Sequence, residues 1–403
     1  LFFKRAMIQH EEMTPLEMTP FDFVPRTRLI FGRGVLGHLG TVAMEFGKHA
    51  LIVTDAGIVR TGYAEKARSL LEASGITVTV YDAVRENPTT EDVEACVQVA
   101  KSAKIDLFIG LGGGSSLDTA KGANFLLTNG GRMQDYWGHG KASQPLLPML
   151  AIPTTAGTGS EVQSYALIAD AITHQKMACG DPKAAPRVAL LDPELTDTLP
   201  PSVTAITGLD AIVHAVETAV TRKRTSLSLL FAREAFRLLI GNFARVLHLP
   251  SDSEARGAML LGASYAGFAI EYSMLGAAHS MANPLTAHFG VVHGQAVGMM
   301  LPSVIHFNAL APEAKDGYKD LLVSSGMASS GISGEEAVER LVAEIVRCLT
   351  LAGIPQTLAE CGVTEEAIPT LAHEASRQWT AQFNPRSLTV EDFTTLYRNA
   401  LHF

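Results

Sequence analysis

Cysteine is scarce: Cys96, Cys179, Cys348 and Cys361 are the four in 403 residues, and no two form a C-x-x-C pair. That spacing excludes a disulfide framework and a thiolate zinc site, and it fits a reducing cytoplasm. Charge is also sparse. Charged residues make up 18% of the chain, the net charge is -9, and no basic stripe is present that would neutralise a phosphate backbone, so nucleic acid is excluded as a partner. Long apolar runs are missing as well. The segments Leu146 to Pro153 and Gly257 to Ile270 are too short, or too rich in small and polar residues, to cross a bilayer, which predicts no membrane span. The opening Leu1-Phe2-Phe3-Lys4-Arg5 is followed by no small-residue cleavage site, so no secretory signal is read. Residues 1–20 read as a flexible extension, with Met7, Met13 and Met18 as candidate starts.

What is present is apolar content of 47%, enough for a sizeable core, in a chain long enough for two domains. The first half alternates β-rich runs with amphipathic stretches, the pattern of βαβ units around a parallel sheet. Ala50 to Thr54 reads as a strand, Tyr63 to Ala73 as a helix, Val78 to Tyr81 as a strand, Glu91 to Ala103 as a helix and Ile105 to Leu111 as a strand. A threonine of Asn87-Pro88-Thr89-Thr90 can cap the second helix. Another strand, Met149 to Ile152, leads to a polar, hairpin-like passage through Gly180-Asp181-Pro182. After Pro200-Pro201 the period changes. Apolar residues then recur every three or four positions, as in Ala232 to Ala244, Glu336 to Leu351 and Glu391 to Leu401, which predicts a helical bundle. The expected organisation is a Rossmann-like α/β domain over 21–200 and an all-α domain over 201–403, with Ser324 to Gly334 as an exposed loop.

The sharpest local feature is Gly112-Gly113-Gly114-Ser115-Ser116-Leu117-Asp118-Thr119-Ala120-Lys121, which follows an apolar strand and opens a helix. Glycines let a pyrophosphate approach the backbone, and the N–H groups and dipole of a helix start favour anionic oxygens. The spacing is not G-x-G-x-x-G, and a glycine run can equally be a plain turn. A second loop, Pro153-Thr154-Thr155-Ala156-Gly157-Thr158-Gly159-Ser160-Glu161, supplies hydroxyls to the same side, although any strand-to-helix connection can look like this. Asp55 ends the first clear strand, where a carboxylate accepts ribose hydroxyls and repels a 2'-phosphate, favouring NAD over NADP; it can also be only a turn residue. In the helical half, Asp210 and His214 are four apart and so share a helix face. His279 and His293 are fourteen apart, and Pro284 and Gly290 argue against one unbroken helix between them. Carboxylate and imidazole donors suit Fe²⁺ or Zn²⁺.

In this order the segments resemble the group III, iron-containing alcohol dehydrogenase family, from about Phe21 to Phe403. The resemblance is carried by Phe31-Gly-Arg-Gly34, Leu51 to Asp55, Glu86-Asn-Pro88, Gly112 to Lys121, Pro153 to Glu161, Gly208 to Ala215, His279 to Gly294 and Phe383-Asn-Pro-Arg386. It implies metal ligands at Asp210, His214, His279 and His293. It also implies cofactor contacts from Asp55, Asn87, Gly113, Gly114, Ser115, Asp118, Thr154, Thr155, Thr158 and Lys176. The reaction implied is hydride transfer between a small alcohol held at the metal, or its aldehyde or ketone, and nicotinamide, in a homodimer or larger assembly. One departure stands out. Many members carry a second histidine four residues after the third ligand, where this chain has Asn283, an amide that cannot exchange a proton near neutral pH.

Two rival readings stand beside this one. A lyase of the dehydroquinate synthase type shares the architecture, NAD and a metal, but would need cationic groups for a phosphorylated, carboxylated substrate, and His279 to His293 contains no Lys or Arg. A catalytically silent dinucleotide sensor is compatible with Asn283 but leaves the four-ligand set without a purpose.

Overall fold

A computed structural model describes residues 20–173 and 175–402; the expected flexible extension over 1–20 lies, but for its last residue, outside the described residues. Six strands, β1 (Arg28–Phe31), β2 (His49–Val53), β3 (Thr77–Tyr81), β4 (Leu107–Gly112), β6 (Met149–Pro153) and β9 (Val188–Leu191), form one parallel sheet in the order β1-β9-β6-β4-β2-β3. A small second sheet joins β5 (Gly138–His139), β8 (Lys176–Gly180) and β7 (Tyr165–Ala169). The expected hairpin is the antiparallel pair β7 and β8, and it turns around Asp170, upstream of Gly180-Asp181-Pro182.

The strands carry apolar residues on both faces because helices cover both. On β2, Leu51 and Val53 join Val93, Val97 and Leu117 in one core, while Ala50 and Ile52 join Leu36, Leu39 and Leu71 in another. Those covers are α1 (Leu39–Ala43), α2 (Ala56–Arg60), α3 (Tyr63–Ala73), α4 (Thr90–Ala103) and α5 (Gly114–Asn129). The start of α4 is a capping box in which the Thr89 hydroxyl accepts from Asp92 N–H and the Asp92 carboxylate accepts from Thr89 N–H at 2.8 Å, so two orphan donors are satisfied at once. From β2 the chain goes first to β3 on one side and then to β4 on the other. This reversal opens a crevice beyond the carboxyl ends of β2 and β4, the usual place for a ligand in an open α/β sheet.

From Pro201 to Leu401 the described residues form α6 (Pro201–Thr218), α7 (Ser226–His248), α8 (Ser253–Ser273), α9 (Ala277–Phe289), α10 (His293–Asn308), α11 (Pro312–Ser324), α12 (Gly334–Leu351), α13 (Ile368–Ser376) and α14 (Val390–Leu401), with short 3-10 turns between some of them. Helix α6 lies at the centre, with Leu209, Ile212 and Val216 in a core that also takes Phe236, Phe243 and Met300. The loop after Ser324 is mostly exposed, with Ile332 tucked into that core. Pro284 does not break its helix. The chain stays helical through it and turns instead at Gly290, in the left-handed region at φ 66. Among the described residues no helix is long and apolar enough to cross a membrane.

Candidate metal centre and dinucleotide cleft

Helix α6 presents Asp210, His214 and Glu217 at positions i, i+4 and i+7, one stripe of a helix face. Helix α10 can approach that stripe because its facing residues are glycines: a Cβ on Gly294 would sit 2.4 Å from the Ile206 carbonyl oxygen, and one on Gly298 would sit 2.3 Å from Leu209 Cδ2. The approach brings His293, first residue of α10, beside Asp210, while α9 brings His279 from the other side. Asp210 Oδ1 then lies 3.5 Å from His214 Nε2, 3.6 Å from His279 Nε2 and 4.0 Å from His293 Nε2. The donor atoms of Asp210, His279 and His293 all lie within 4.8 Å of one another. His214 stands just outside that triple, its ring stacked on His279 with centroids 4.8 Å apart.

These distances are too long for hydrogen bonds, and Asp210 Oδ1 and His279 Nε2 are buried with no hydrogen-bond partner among the described residues. Buried polar atoms are nearly always satisfied. A carboxylate oxygen and imidazole nitrogens converging without bonding each other fit a cation between them. Burial alone would raise the Asp210 carboxyl, but the three surrounding imidazoles hold it well below the usual carboxylate range. Burial pushes His214 down to about 4 and, with Lys176 adding to it, His293 down to about 3, so both are neutral donors at physiological pH. His279 differs: burial would lower it, but the Glu217 and Asp210 carboxylates raise it to about 9.

Glu217 is the group that sequence reasoning passed over. Its Oε2 lies 2.6 Å from His279 Nδ1, so Nδ1–H donates to the carboxylate and Nε2 faces Asp210, the arrangement that orients and strengthens an imidazole ligand. Its spacing from Asp210 and His214 was the available signal.

On the other side of the cleft, β4 ends at Gly112 with φ 149, a conformation that favours glycine, and α5 starts at Gly114 with Gly113 as N-cap. The two polar loops do converge. A Cβ on Gly113 would lie 3.4 Å from Thr155 Cγ2, and one on Gly114 would lie 2.8 Å from Thr158 Cγ2. The Ser115 hydroxyl accepts from Asn87 N–H at 3.3 Å, and Asn87 itself sits at φ 52. Asp55 caps α2, with Oδ1 accepting from Gly57 and Ile58 N–H, while Oδ2 points toward Gly112. Thr154 is buried, its hydroxyl without a partner among the described residues. Asp118 is also buried, its Oδ1 accepting from Ser160 Oγ at 2.6 Å, which ties α5 to the second loop. Beneath it, the buried Lys121 donates to Ser160 and to the Tyr165 carbonyl.

A cavity of about 500 Å³ joins the two sites, lined by Asn87 and Lys176 from the sheet half and by Asn283, His288, His293 and Gln378 from the helical half. Burial lowers the Lys176 ammonium from its ordinary value, opposed by Asp118 and Asp210. Asn283 donates to Gln378 Oε1 at 3.0 Å on the cavity wall. Of the residues expected from the sequence, Asp210, His279 and His293 are thus brought together, with His214 stacked beside them. Asp55, Asn87, Gly113, Gly114, Ser115, Thr155 and Thr158 gather around the start of α5, Lys176 lines the same cavity as His293, and Asp118 and Thr154 are buried.

A parallel α/β half with its crevice at the strand-order reversal, facing a helical half with a carboxylate–imidazole cluster, is the architecture of a two-domain enzyme working on a ligand held between its halves. Residues 25–193 match the family model for iron-containing alcohol dehydrogenase, and residues 204–401 match that for the C-terminal part of the Fe-containing alcohol dehydrogenase family. The chain is 36% identical over 385 residues to the NAD-dependent methanol dehydrogenase of Bacillus methanolicus, covering 95% of this chain and 100% of that protein. It is 35% identical over 373 residues to the lactaldehyde reductase of Escherichia coli, covering 92% and 97%. Its fold matches the crystal structure of a 1,3-propanediol oxidoreductase with TM-score 0.91 and 31% identity, over 95% of this chain and 100% of that one. The chain therefore belongs to the iron-containing alcohol dehydrogenase family and is an oxidoreductase that acts on alcohols.

Proposed function

We propose that this enzyme transfers hydride between a small alcohol, or its aldehyde or ketone, and NAD, with Fe²⁺ held by Asp210, His214, His279 and His293. The observation carrying this reading is the pair of buried, unpartnered atoms Asp210 Oδ1 and His279 Nε2, 3.6 Å apart, in a cluster whose His293 lines a cavity shared with Lys176 and Asn87. The family's iron and the carboxylate content of the set favour Fe²⁺, while Zn²⁺ suits the same donors. When bound, the ion supplies a Lewis acid that polarises the substrate oxygen.

The chain's own residues do the rest. Glu217 keeps His279 Nε2 aimed at Asp210 by accepting from Nδ1. The N–H groups opening α5 hold the pyrophosphate, between Asn87, Gly113, Gly114 and Ser115 on one side and Thr154, Thr155 and Thr158 on the other. Asp118 holds the second loop in place, and Asp55 Oδ2 accepts from ribose hydroxyls and repels a 2'-phosphate, which selects NAD over NADP. Lys176 brings positive charge to the point where the dinucleotide meets the metal cluster. Asn283 orients but does not carry a proton, so the alcohol proton leaves through water or through the hydrogen-bonded pair His288 and Glu374, which lines the same cavity with Nε2 and Oε2 2.9 Å apart. The reading extends to residues 21–200 as the dinucleotide-binding domain and 201–403 as the metal-binding domain. It also includes a cytoplasmic enzyme, since its four cysteines are unpaired, and a homodimer or larger even assembly, as the family resemblance implies.

The test is the nicotinamide absorbance change with a panel of small alcohols and aldehydes, using protein stripped of metal and then reloaded with Fe²⁺ or Zn²⁺. Turnover that returns only with metal, and faster with NAD than with NADP, is expected. Full turnover by the stripped protein would refute the metal-dependent reading.

A further inference from the structure

Where His279 points is set by how α9 begins, and α9 begins with Gly276 as N-cap, which has no side chain to cap it. The first N–H groups of a helix have no acceptor within the helix, and buried ones need partners from elsewhere. Here the partners come from two distant places. Gly276 and Ala278 N–H donate to Glu217 at 3.1 and 2.7 Å, and Ala277 N–H between them donates to Asn384 Oδ1 at 3.2 Å.

Asn384 belongs to Phe383-Asn384-Pro385-Arg386, a motif to which neither the metal cluster nor the dinucleotide loops give a task. It is 1% exposed, and its amide is held from every side. Its Oδ1 also accepts from Asn308 Nδ2 at 3.1 Å, and its Nδ2 donates to Asn308 Oδ1 at 2.7 Å and to the Arg386 carbonyl at 2.8 Å. The motif is anchored in turn. Arg222 N–H donates to the Phe383 carbonyl at 2.9 Å, and Arg386 Nη1 donates to the Phe307 carbonyl at 2.7 Å while its guanidinium lies over the Phe307 ring. Just upstream, the Thr380 hydroxyl is 2.7 Å from that of Ser280, the residue after His279. The nest is tight, since a Cβ on Gly276 would lie 3.0 Å from Asn384 Oδ1 and 3.1 Å from Glu217 Oε1.

We propose that Asn384 is a positioning residue for the metal centre: it fixes the first turn of α9, and with it the direction in which His279 presents Nε2 to Asp210. Glu217 alone leaves that turn able to pivot about one side chain, whereas a second fixed acceptor on the intervening N–H removes the pivot. A metal ligand must be held to about half an ångström, so the loss of one of two fixed points is felt at the ion. The inference rests on the metal reading above.

The test uses the full chain, stripped of metal and titrated with Co²⁺, whose visible absorption bands report coordination geometry. Asn384→Ala is expected to lose about 10-fold or more in Co²⁺ affinity and to change the band pattern. Gly276→Ala crowds the same two oxygens from the helix side; it should shift affinity the same way, and it carries the test if Asn384→Ala does not fold. Tyr318→Phe removes a hydroxyl that accepts from Asn308 at 3.4 Å in the same buried network without touching α9, so it should lower Tm and leave Co²⁺ affinity intact. Wild-type affinity and bands in a folded Asn384→Ala or Gly276→Ala protein would overturn the inference and leave the metal reading standing. An equal loss in Tyr318→Phe would also overturn it, by assigning the effect to general loosening. Failure of the wild type to bind Co²⁺ would instead overturn the metal reading.

Discussion

At the end of β4 the chain offers a ligand mostly backbone, namely a glycine turn, the N–H groups opening α5 and hydroxyls from a facing loop. Across the cavity, α6, α9 and α10 offer almost only side chains, converging on Asp210. The first site depends on close approach, because its donors are present in any helix start and what distinguishes it is that nothing protrudes. The second depends on chemical identity, because an imidazole nitrogen at that point has no backbone substitute. Removing a donor side chain should therefore damage the second site most, and adding one at the glycine turn should damage the first.

The largest effect expected is from His279→Ala, which deletes a donor and leaves Glu217 buried without its ring partner. We expect metal content to fall sharply and kcat/KM to drop by about 100-fold or more, read by metal analysis alongside the nicotinamide assay. Retained metal together with full activity would break the distinction drawn above. Next is Gly114→Ala, which places a Cβ 2.8 Å from Thr158 Cγ2. Overpacking of this kind costs about 1–3 kcal/mol, and we expect it as a rise of roughly 5- to 150-fold in the Kd for NADH, followed by fluorescence, with metal content unchanged. A parallel loss of metal would show that the two sites are not separable.

Asp55→Ala should have a smaller effect, since the carboxylate serves both as cap of α2 and as ribose acceptor. Losing the cap costs about 1 kcal/mol, visible in Tm. The functional signature is a lower ratio of NAD to NADP turnover, and an unchanged ratio would leave Asp55 as a cap alone. The smallest concerns Asp170 at the turn of the hairpin that carries Lys176. The N–H groups of Thr173 and Ile172 and the Gln134 amide hold its carboxyl down at about 2. A carboxyl depressed in the folded state adds stability above its unfolded pKa, and that stability disappears as pH falls toward the folded value. Asp170→Asn should accordingly melt below the wild type at neutral pH, with the gap closing as pH falls from about 4 toward 2; a gap independent of pH would point to geometry instead of charge.

Much of the fold was legible because its signals are local. The helix over Tyr63 to Ala73 and the strands at β2, β3, β4 and β6 follow from period and punctuation within a dozen residues. The threonine cap before α4 was readable for the same reason, since a capping box spans four residues. The break expected between His279 and His293 falls at Gly290 and not at Pro284, because a proline costs one hydrogen bond and some crowding, and α9 is packed well enough on its neighbours to stay helical through it. Asp118 entered through the family resemblance, and its Oδ1 accepts from Ser160 Oγ, a partner 42 positions away that no local pattern announces.

What the amino-acid order determined by itself is which residue types fall within one turn of one another: the glycines at the start of α5, the Asp210 and His214 pair, and the amide at Asn283. Tertiary structure alone decided which distant pieces meet. Glu217 reaches His279 across 62 positions and Asn384 reaches Ala277 across 107, and no periodicity encodes such distances. Those meetings depend on how closely helices can approach, at Gly294 and Gly298 against α6, and on buried N–H groups that must find an acceptor somewhere in the folded chain.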